Sequence, residues 1–235
     1  MKRQLILSTL CLVLLLVMML STTLAWFTDS KTNVNTMVAG KISIEQKEYS
    51  DAAHTTEFEN NKFVMMPSQT VIKEVVVTNT GNQPAYVRTL FAFEDSADGK
   101  VLEMLTTAGA TITFPSDASG NKIRFSVTKD GKTTIFTVGY TVCDTALPEN
   151  SQFCPLDSIT LSANAQNEWH KAVGNTYELS VLSQATQAAG LGNDAAVALN
   201  TAFAPITSEN CAKWFAQVLG GEANGNPIVI SPANP

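Results

Sequence analysis

The chain has 235 residues, 45% of them hydrophobic, with 21 acidic against 15 basic side chains and a net charge of −6. That balance excludes nucleic acid and anionic lipid as favoured partners. The length suffices for one domain with a sizeable core of its own.

At the start, Lys2 and Arg3 precede an apolar run from Leu10 to Leu20; Ser21, Thr22 and Thr23 follow, and Ala25 offers a small residue for cleavage. Positive, apolar and small-residue regions in that order are those of a secretory signal peptide, so residues 1–25 are expected to be a helical leader cut between Ala25 and Trp26. The competing reading is an uncleaved anchor, because Leu5 to Leu24 spans twenty residues, the length that crosses a bilayer. Ser8, Thr9 and the Ser-Thr-Thr run shorten its apolar part, and no Lys/Arg stop-transfer cluster follows. No lipobox surrounds Cys11 and no sorting motif closes the chain. Membrane contact is expected only in transit, and the product is expected outside the cell. Loss of Lys2 and Arg3 takes the charge from −6 to −8, which suits a protein that must stay soluble until it reaches its destination.

Residues 26–40 read as an extended segment, and residues 41–220 as a domain built mainly of strands. Lys41-Ile42-Ser43-Ile44-Glu45 alternates apolar and polar residues. Val71 to Thr78 is rich in β-branched residues and ends at the turn Asn79-Thr80-Gly81-Asn82. Ala85 to Glu94 continues extended, with Val87, Phe91 and Phe93 on one face. Ile123, Phe125 and Val127 share a face of the next strand. Lys129-Asp130-Gly131-Lys132 signals a hairpin, and Phe136, Val138, Tyr140 and Val142 form the inward face of its return strand. Ile159, Leu161 and Ala163 suggest another strand; Tyr177, Leu179 and Val181 suggest the last.

Helices are expected at Val101 to Thr107, at Asp194 to Phe203, and from Ser208 as N-cap to about Leu219, stopped by Gly220-Gly221. Trp214, Phe215 and Val218 would be the buried stripe of the last one. Residues 221–235 carry three prolines and read as an extended surface tail. Many short strands with few helices indicate an all-β protein, a jelly-roll-like antiparallel β-sandwich.

Past the leader three cysteines remain, Cys143, Cys154 and Cys211, so at least one thiol is free or pairs between chains. Cys143 and Cys154 flank a loop with Pro148 and could bridge; the alternative is three unpaired, partly buried thiols.

Three segments together resemble the TasA and camelysin group of secreted fibre-forming proteins, whose leaders are removed by the signal peptidase SipW in Gram-positive bacteria. The first is Ala25-Trp26-Phe27-Thr28-Asp29-Ser30-Lys31 followed by Met37-Val38-Ala39-Gly40-Lys41-Ile42-Ser43-Ile44. The second is Met66-Pro67-Ser68-Gln69-Thr70-Val71-Ile72-Lys73, then Val75-Val76-Val77-Thr78-Asn79-Thr80-Gly81 and Ala85-Tyr86-Val87-Arg88. The third is Leu182-Ser183-Gln184-Ala185-Thr186-Gln187-Ala188-Ala189-Gly190-Leu191. Ser68 departs from the family, which commonly has Gly there, and residues 205–235 match nothing in it. The resemblance implies a jelly-roll subunit of extracellular fibres, in a biofilm matrix or at the cell surface. In related fibres the segment after the cleavage site becomes a donor strand that completes the next subunit's sheet. Trp26, Phe27, Val34, Met37 and Val38 would be the groove-filling side chains here. The alternative is an edge strand of the chain's own domain.

Catalytic patterns are sparse. The only histidines are His54 and His170. There is no His-Glu-x-x-His, so the metal-dependent peptidase activity described for camelysin-like proteins has no motif to rest on. A serine triad lacks a motif, and no cysteine sits in a nucleophile signature. Glu94, Asp95 and Asp98 lack the ligand series of a calcium loop and read as a turn. Tyr86 and Arg88 share a strand face opposite Val87; the favoured reading is an exposed face with Tyr over the Arg stem, the other an interface patch.

The expectation is therefore a secreted, non-enzymatic fibre subunit whose partners are copies of itself and a SipW-type peptidase, with no cofactor or metal. A monomeric adhesin module is the runner-up, and a secreted metallopeptidase the third reading.

Overall fold

A computed structural model describes residues 40–58, 65–165, 169, 177–220, 222–223 and 226–233. The chain divides into residues 1–39 and a compact unit from Gly40 to Pro235, and the described residues all belong to the second. The order is β1 (Ile44–Tyr49), β2 (Thr70–Asn79), β3 (Ala85–Asp95), α1 (Lys100–Glu103), β4 (Leu105–Ala108), β5 (Arg124–Lys129), β6 (Lys132–Val142) and β7 (Gln152–Leu161), then β8 (Leu179–Gln187), α2 (Ala195–Phe203), α3 (Ser208–Leu219), β9 (Glu222–Ala223), β10 (Asn226–Pro227) and β11 (Val229–Pro232).

The strands build a β-sandwich. One antiparallel sheet has the order β1-β2-β7-β4, the other β11-β5-β6-β3-β8, and β9 and β10 pair by themselves. The hairpin read from Asp130-Gly131 is present. Lys129 pairs with Lys132, and both central residues take positive φ, 50° and 76°, the twist that suits a tight two-residue connection. At the β2–β3 turn Asn79 is fully buried. Its Oδ1 accepts from the Gly81 N–H at 2.9 Å, and its Nδ2 donates to the Gln83 and Leu147 carbonyls at 2.8 and 2.9 Å. One side chain thus fastens the turn to the β6–β7 connection.

Every residue of β3 is buried because the strand is covered on both faces. Val87, Phe91 and Phe93 face the second sheet and pack with Val75, Val77, Leu156 and Val181. The alternate positions Leu90 and Ala92 face the helices and pack with Phe125, Phe136, Val138 and, from α3, Cys211, Ala212 and Phe215. Phe125 stacks on both Phe136 and Phe215 at 5.4 and 5.1 Å. The faces read as inward on β5 and β6 are therefore buried, but against α3 rather than against the second sheet.

That helix layer overturns the reading of Tyr86 and Arg88 as an exposed pair. Tyr86 packs with Ala195, Ala198 and Leu199 of α2, and Arg88 is 2% exposed. Other boundaries shift too. The first strand begins at Ile44, because Lys41 to Ser43 are tied to the 80–82 turn instead: the Lys41 N–H donates to Asn82 Oδ1 at 2.7 Å and the Gly81 N–H to the Ser43 carbonyl at 3.0 Å. The helix expected over Val101 to Thr107 is one turn, α1, and Leu105 enters β4, where it pairs with Leu161 of β7. Ala163 falls in a 3₁₀ turn after β7, and Tyr177 precedes β8. Helices α2 and α3 match their expected spans, with Asp194 capping the first; the cap of α3 is Thr207, whose Oγ1 accepts from the Asn210 N–H, not Ser208. Val218 is 49% exposed, so the buried stripe of α3 is Cys211, Ala212 and Phe215. In the tail, Val229 to Pro232 do not lie loose: they pair with Phe125 to Thr128 as an edge strand.

Candidate functional site

A sandwich has four sheet edges, and unpaired edge backbone is where another chain can add. Here β1 is covered at its far end by its own return, Tyr49 bridging Glu57 and the Phe58 N–H donating to the Glu48 carbonyl at 2.8 Å. Strands β4 and β11 are four residues each, and β11 ends in proline. Strand β8 is nine residues long and, among the described residues, is paired with β3 on one side only.

Alternation tells which backbone groups of β8 point outward, since residues two apart in an antiparallel strand direct both N–H and C=O to the same side. The Glu94 N–H donates to the Glu178 carbonyl and the Ala188 N–H to the Pro84 carbonyl, so even positions face β3. Val181, Ser183, Ala185 and Gln187 then face away from it. In front of Ser183 and Ala185 lies an open cavity of about 740 Å³ between β8 and the start of β1, roofed by the end of α2 and by α3. Ile42, Ile44, Leu182, Phe203 and Trp214 give it apolar walls, and Ser43, Gln184, Thr201 and Gln217 give it polar atoms; no Asp, Glu, Lys or Arg lines it. Such a slot, apolar walls beside unpaired strand backbone, is chemically suited to an extended peptide.

Two side chains shape the slot. Gln46, from β1, bridges to β8: its Nε2 donates to the Val181 carbonyl at 3.4 Å, and its Oε1 accepts from Ser183 Oγ at 2.8 Å. Arg88 sits behind the opposite wall. Its Nε donates to Gln184 Oε1 at 2.7 Å, Nη1 to Asn200 Oδ1 at 2.9 Å and Nη2 to the Ala204 carbonyl at 3.2 Å, while its guanidinium lies 5.0 Å over the Trp214 ring. All three hydrogen-bond partners are neutral oxygens. Burial therefore lowers its pKa to about 10, still far above neutrality, so the cation persists. The carbonyl it holds belongs to Ala204, whose φ of 71° and ψ of 165° form a conformation normally left to glycine. Arg88 thus keeps the α2–α3 connection, and with it the Phe203–Trp214 wall, in a strained shape.

The residues singled out from the sequence fall in several places. Ala25, Trp26, Phe27, Val34, Met37 and Val38, with the signal peptide and the whole candidate donor segment, lie outside the described residues, as does His170. The bridge between Cys143 and Cys154 is not formed; both are free thiols, as is Cys211. Cys143 packs against the inter-sheet core. Cys154 follows Phe153, which takes the core side, so Cys154 points to the outer face, near Glu74 and Asp157. The two thiols are on opposite sides of a sheet. His54 Nε2 lies 2.8 Å from Glu74 Oε1, and its ring stacks on Tyr49 at 4.8 Å; that contact pins the 50–58 loop to β2. Asp95 is buried and fully engaged, and Asp98 accepts from Ser96 Oγ at 2.5 Å, so the acidic loop is the turn it was read as.

Sequence reasoning missed Gln46, Ser183, Gln184 and Trp214 as groove residues. The available signal was Ser183-Gln184 directly after the apolar pair Val181-Leu182, polar at consecutive positions and so polar toward both sides of the strand. No known protein family, curated protein or solved structure matches the chain.

Proposed function

We propose that this chain is a secreted structural protein, a jelly-roll-like subunit of extracellular fibres in the matrix or on the surface of a Gram-positive cell, assembled by strand donation. The observation that carries the reading is the open edge of β8 with the uncharged slot in front of it. The other support is the sequence just upstream. Residues 26–39 precede Gly40, and Trp26, Phe27, Val34, Met37 and Val38 are spaced along them as groove-filling candidates. Removal of residues 1–25 by a SipW-type peptidase would free that segment to enter a second copy. A contact of this kind is heterologous, so it propagates rather than closes. No cofactor or catalytic step is part of it.

The magnitudes suit assembly that depends on concentration. A few backbone hydrogen bonds contribute about 1 kcal/mol each and two buried valines about 2 kcal/mol each. Loss of rotational and translational freedom opposes them by several kcal/mol. Single docking events are then weak, and a filament gains from adding contacts.

The test is negative-stain microscopy of residues 26–235 over a range of concentrations. Filaments are expected, while a chain beginning at Gly40 stays folded and monomeric. A mature chain that remains monomeric at every concentration overturns the reading.

A further inference from the structure

We infer that Gln46 sets the register of the docked strand, and that the segment received is Val34–Val38 of a neighbouring copy. This rests on the strand-donation reading above and goes further, to the length, position and face of the contact.

The length follows from the slot's closed end. Gln46 already occupies the outward carbonyl of Val181 and the hydroxyl of Ser183. Ser183 is held a second time by Thr89 Oγ1 at 2.9 Å, so this end of the slot is anchored to β3 as well. An incoming strand cannot pair with Val181 without displacing the amide. Among the described residues no strand pairs with the outward side of Ser183 to Gln187, five residues of β8, about 16 Å at strand rise. Ser183, Ala185 and Gln187 are its outward positions. The docked strand is therefore about five residues long, and Gln46 is a stop against which it abuts.

The occupant follows from charge and alternation. The lining carries no charged side chain, and an ion entering it unpaired would be strongly disfavoured. Between Trp26 and Ala39 the charges are Asp29 and Lys31; from Thr32 onward there are none. Within that uncharged stretch Val34, Thr36 and Val38 fall on one face of a strand, all three β-branched, the type that packs best on a pleated surface. Asn35 and Met37 fall on the other face. A five-residue strand over Val34–Val38 thus matches the open stretch of β8 in length and can present its β-branched face to Ile42 and Ile44 on the inter-sheet side, leaving Asn35 and Met37 toward Leu182 and Trp214 on the helix side. Trp26 and Phe27 lie beyond the stretch and outside the paired register.

The experiment uses the mature chain, residues 26–235, with filament formation read by sedimentation and folding by circular dichroism. Val34→Asp and Val38→Asp are expected to raise the concentration needed for filaments at least ten-fold with the fold unchanged; Trp26→Ser is expected to change it less than two-fold. The reverse pattern overturns the assignment of Val34–Val38. Hydrogen exchange supplies the register: in wild-type filaments new protection covers Ser183 to Gln187 and ends before Val181. In Gln46→Ala filaments it extends to Val181, which a merely structural role for Gln46 would not produce. An unmoved boundary overturns Gln46 as the stop. Protection of Ser183 to Gln187 in a monomer at all dilutions means the segment serves its own copy, which overturns the neighbour. Wild-type chain that neither assembles nor gains protection sinks the strand-donation reading itself. Filaments that are indifferent to every variant sink only this inference.

Discussion

The carboxylate of Asp95, on β3, receives the guanidinium of Arg124, on β5, at 3.2 Å across the intervening strand β6. The same Oδ2 accepts from Thr137 Oγ1 of β6 at 2.6 Å, and Oδ1 accepts from the Ser96 and Leu102 N–H groups at 2.9 and 3.1 Å. One fully buried side chain therefore ties three strands and α1 together. Its removal leaves a mostly buried cation and several donors unsatisfied. Asp95→Ala is expected to cost about 3–5 kcal/mol, and Asp95→Asn less, because an acceptor remains. Urea unfolding of residues 26–235 measures both; a loss under about 1 kcal/mol for Asp95→Ala would show that the contact contributes little.

Gly81 allows the close approach that fixes the start of β1. A Cβ built there would lie 2.3 Å from the Lys41 carbonyl oxygen and 2.8 Å from the Ser43 nitrogen, both backbone atoms that cannot swing aside. Gly81→Ala must push residues 41–43 off the turn. The expected destabilisation is about 1–3 kcal/mol. Because Ile42 and Ser43 line the slot, the strand docking proposed for it should weaken as well. Unchanged assembly together with unchanged stability would show that the chain start moves freely.

The extent to which the sequence announced this architecture varies by element. The β5–β6 hairpin was legible because Asp-Gly chemistry is local. The start of α2 and the stop of α3 were legible for the same reason, since Asp194 and the Gly220-Gly221 pair act within a turn, whereas the cap of α3 is Thr207, one residue before the Ser208 expected. The double burial of β3 was not. Its period-2 alternation placed Val87, Phe91 and Phe93 correctly, but Tyr86 and Arg88 look exposed until helices more than a hundred residues later cover them. The role of β11 was hidden similarly, because a proline-bearing tail gives no hint of the edge that Phe125 to Thr128 offers it. The slot itself could not be read: it arises where β1, β8, α2 and α3 converge, and its closing residue, Gln46, looks like an ordinary polar position on a half-buried strand.

Glu94 gives a pH dependence of definite sign. It is buried, and burial pushes its carboxyl above the ordinary 4.5, with the Glu178 N–H at 2.8 Å working in the opposite direction. The folded state then holds the proton more tightly than the unfolded chain. The favourable contribution is complete below the ordinary value and is lost as pH rises through the raised one. Glu94→Gln removes that loss while keeping an acceptor for Glu178. Its stability relative to wild type should rise across that window and level off above it. Unfolding free energies at a series of pH values check this, and a difference that is constant with pH would mean that burial does not govern the group.

Cys211 makes the sharpest prediction about thiol chemistry. It is fully buried in α3, and desolvation pushes its thiol up to about 12 even though the Arg88 cation pulls the other way. At pH 8 only about one molecule in ten thousand carries the reactive thiolate. Cys143 and Cys154 are also raised by burial but are partly exposed. Iodoacetamide on the folded protein should therefore modify Cys143 and Cys154 slowly and leave Cys211 intact until denaturant is added. Under a mild oxidant no Cys143–Cys154 bridge should form, because the first thiol faces the inter-sheet core and the second the outer surface. Peptide mapping by mass spectrometry reads both outcomes. Early alkylation of Cys211 would mean that α3 opens readily from the sheet, and with it the Trp214 wall of the slot; a mapped Cys143–Cys154 disulfide would require β7 to turn its outer face inward.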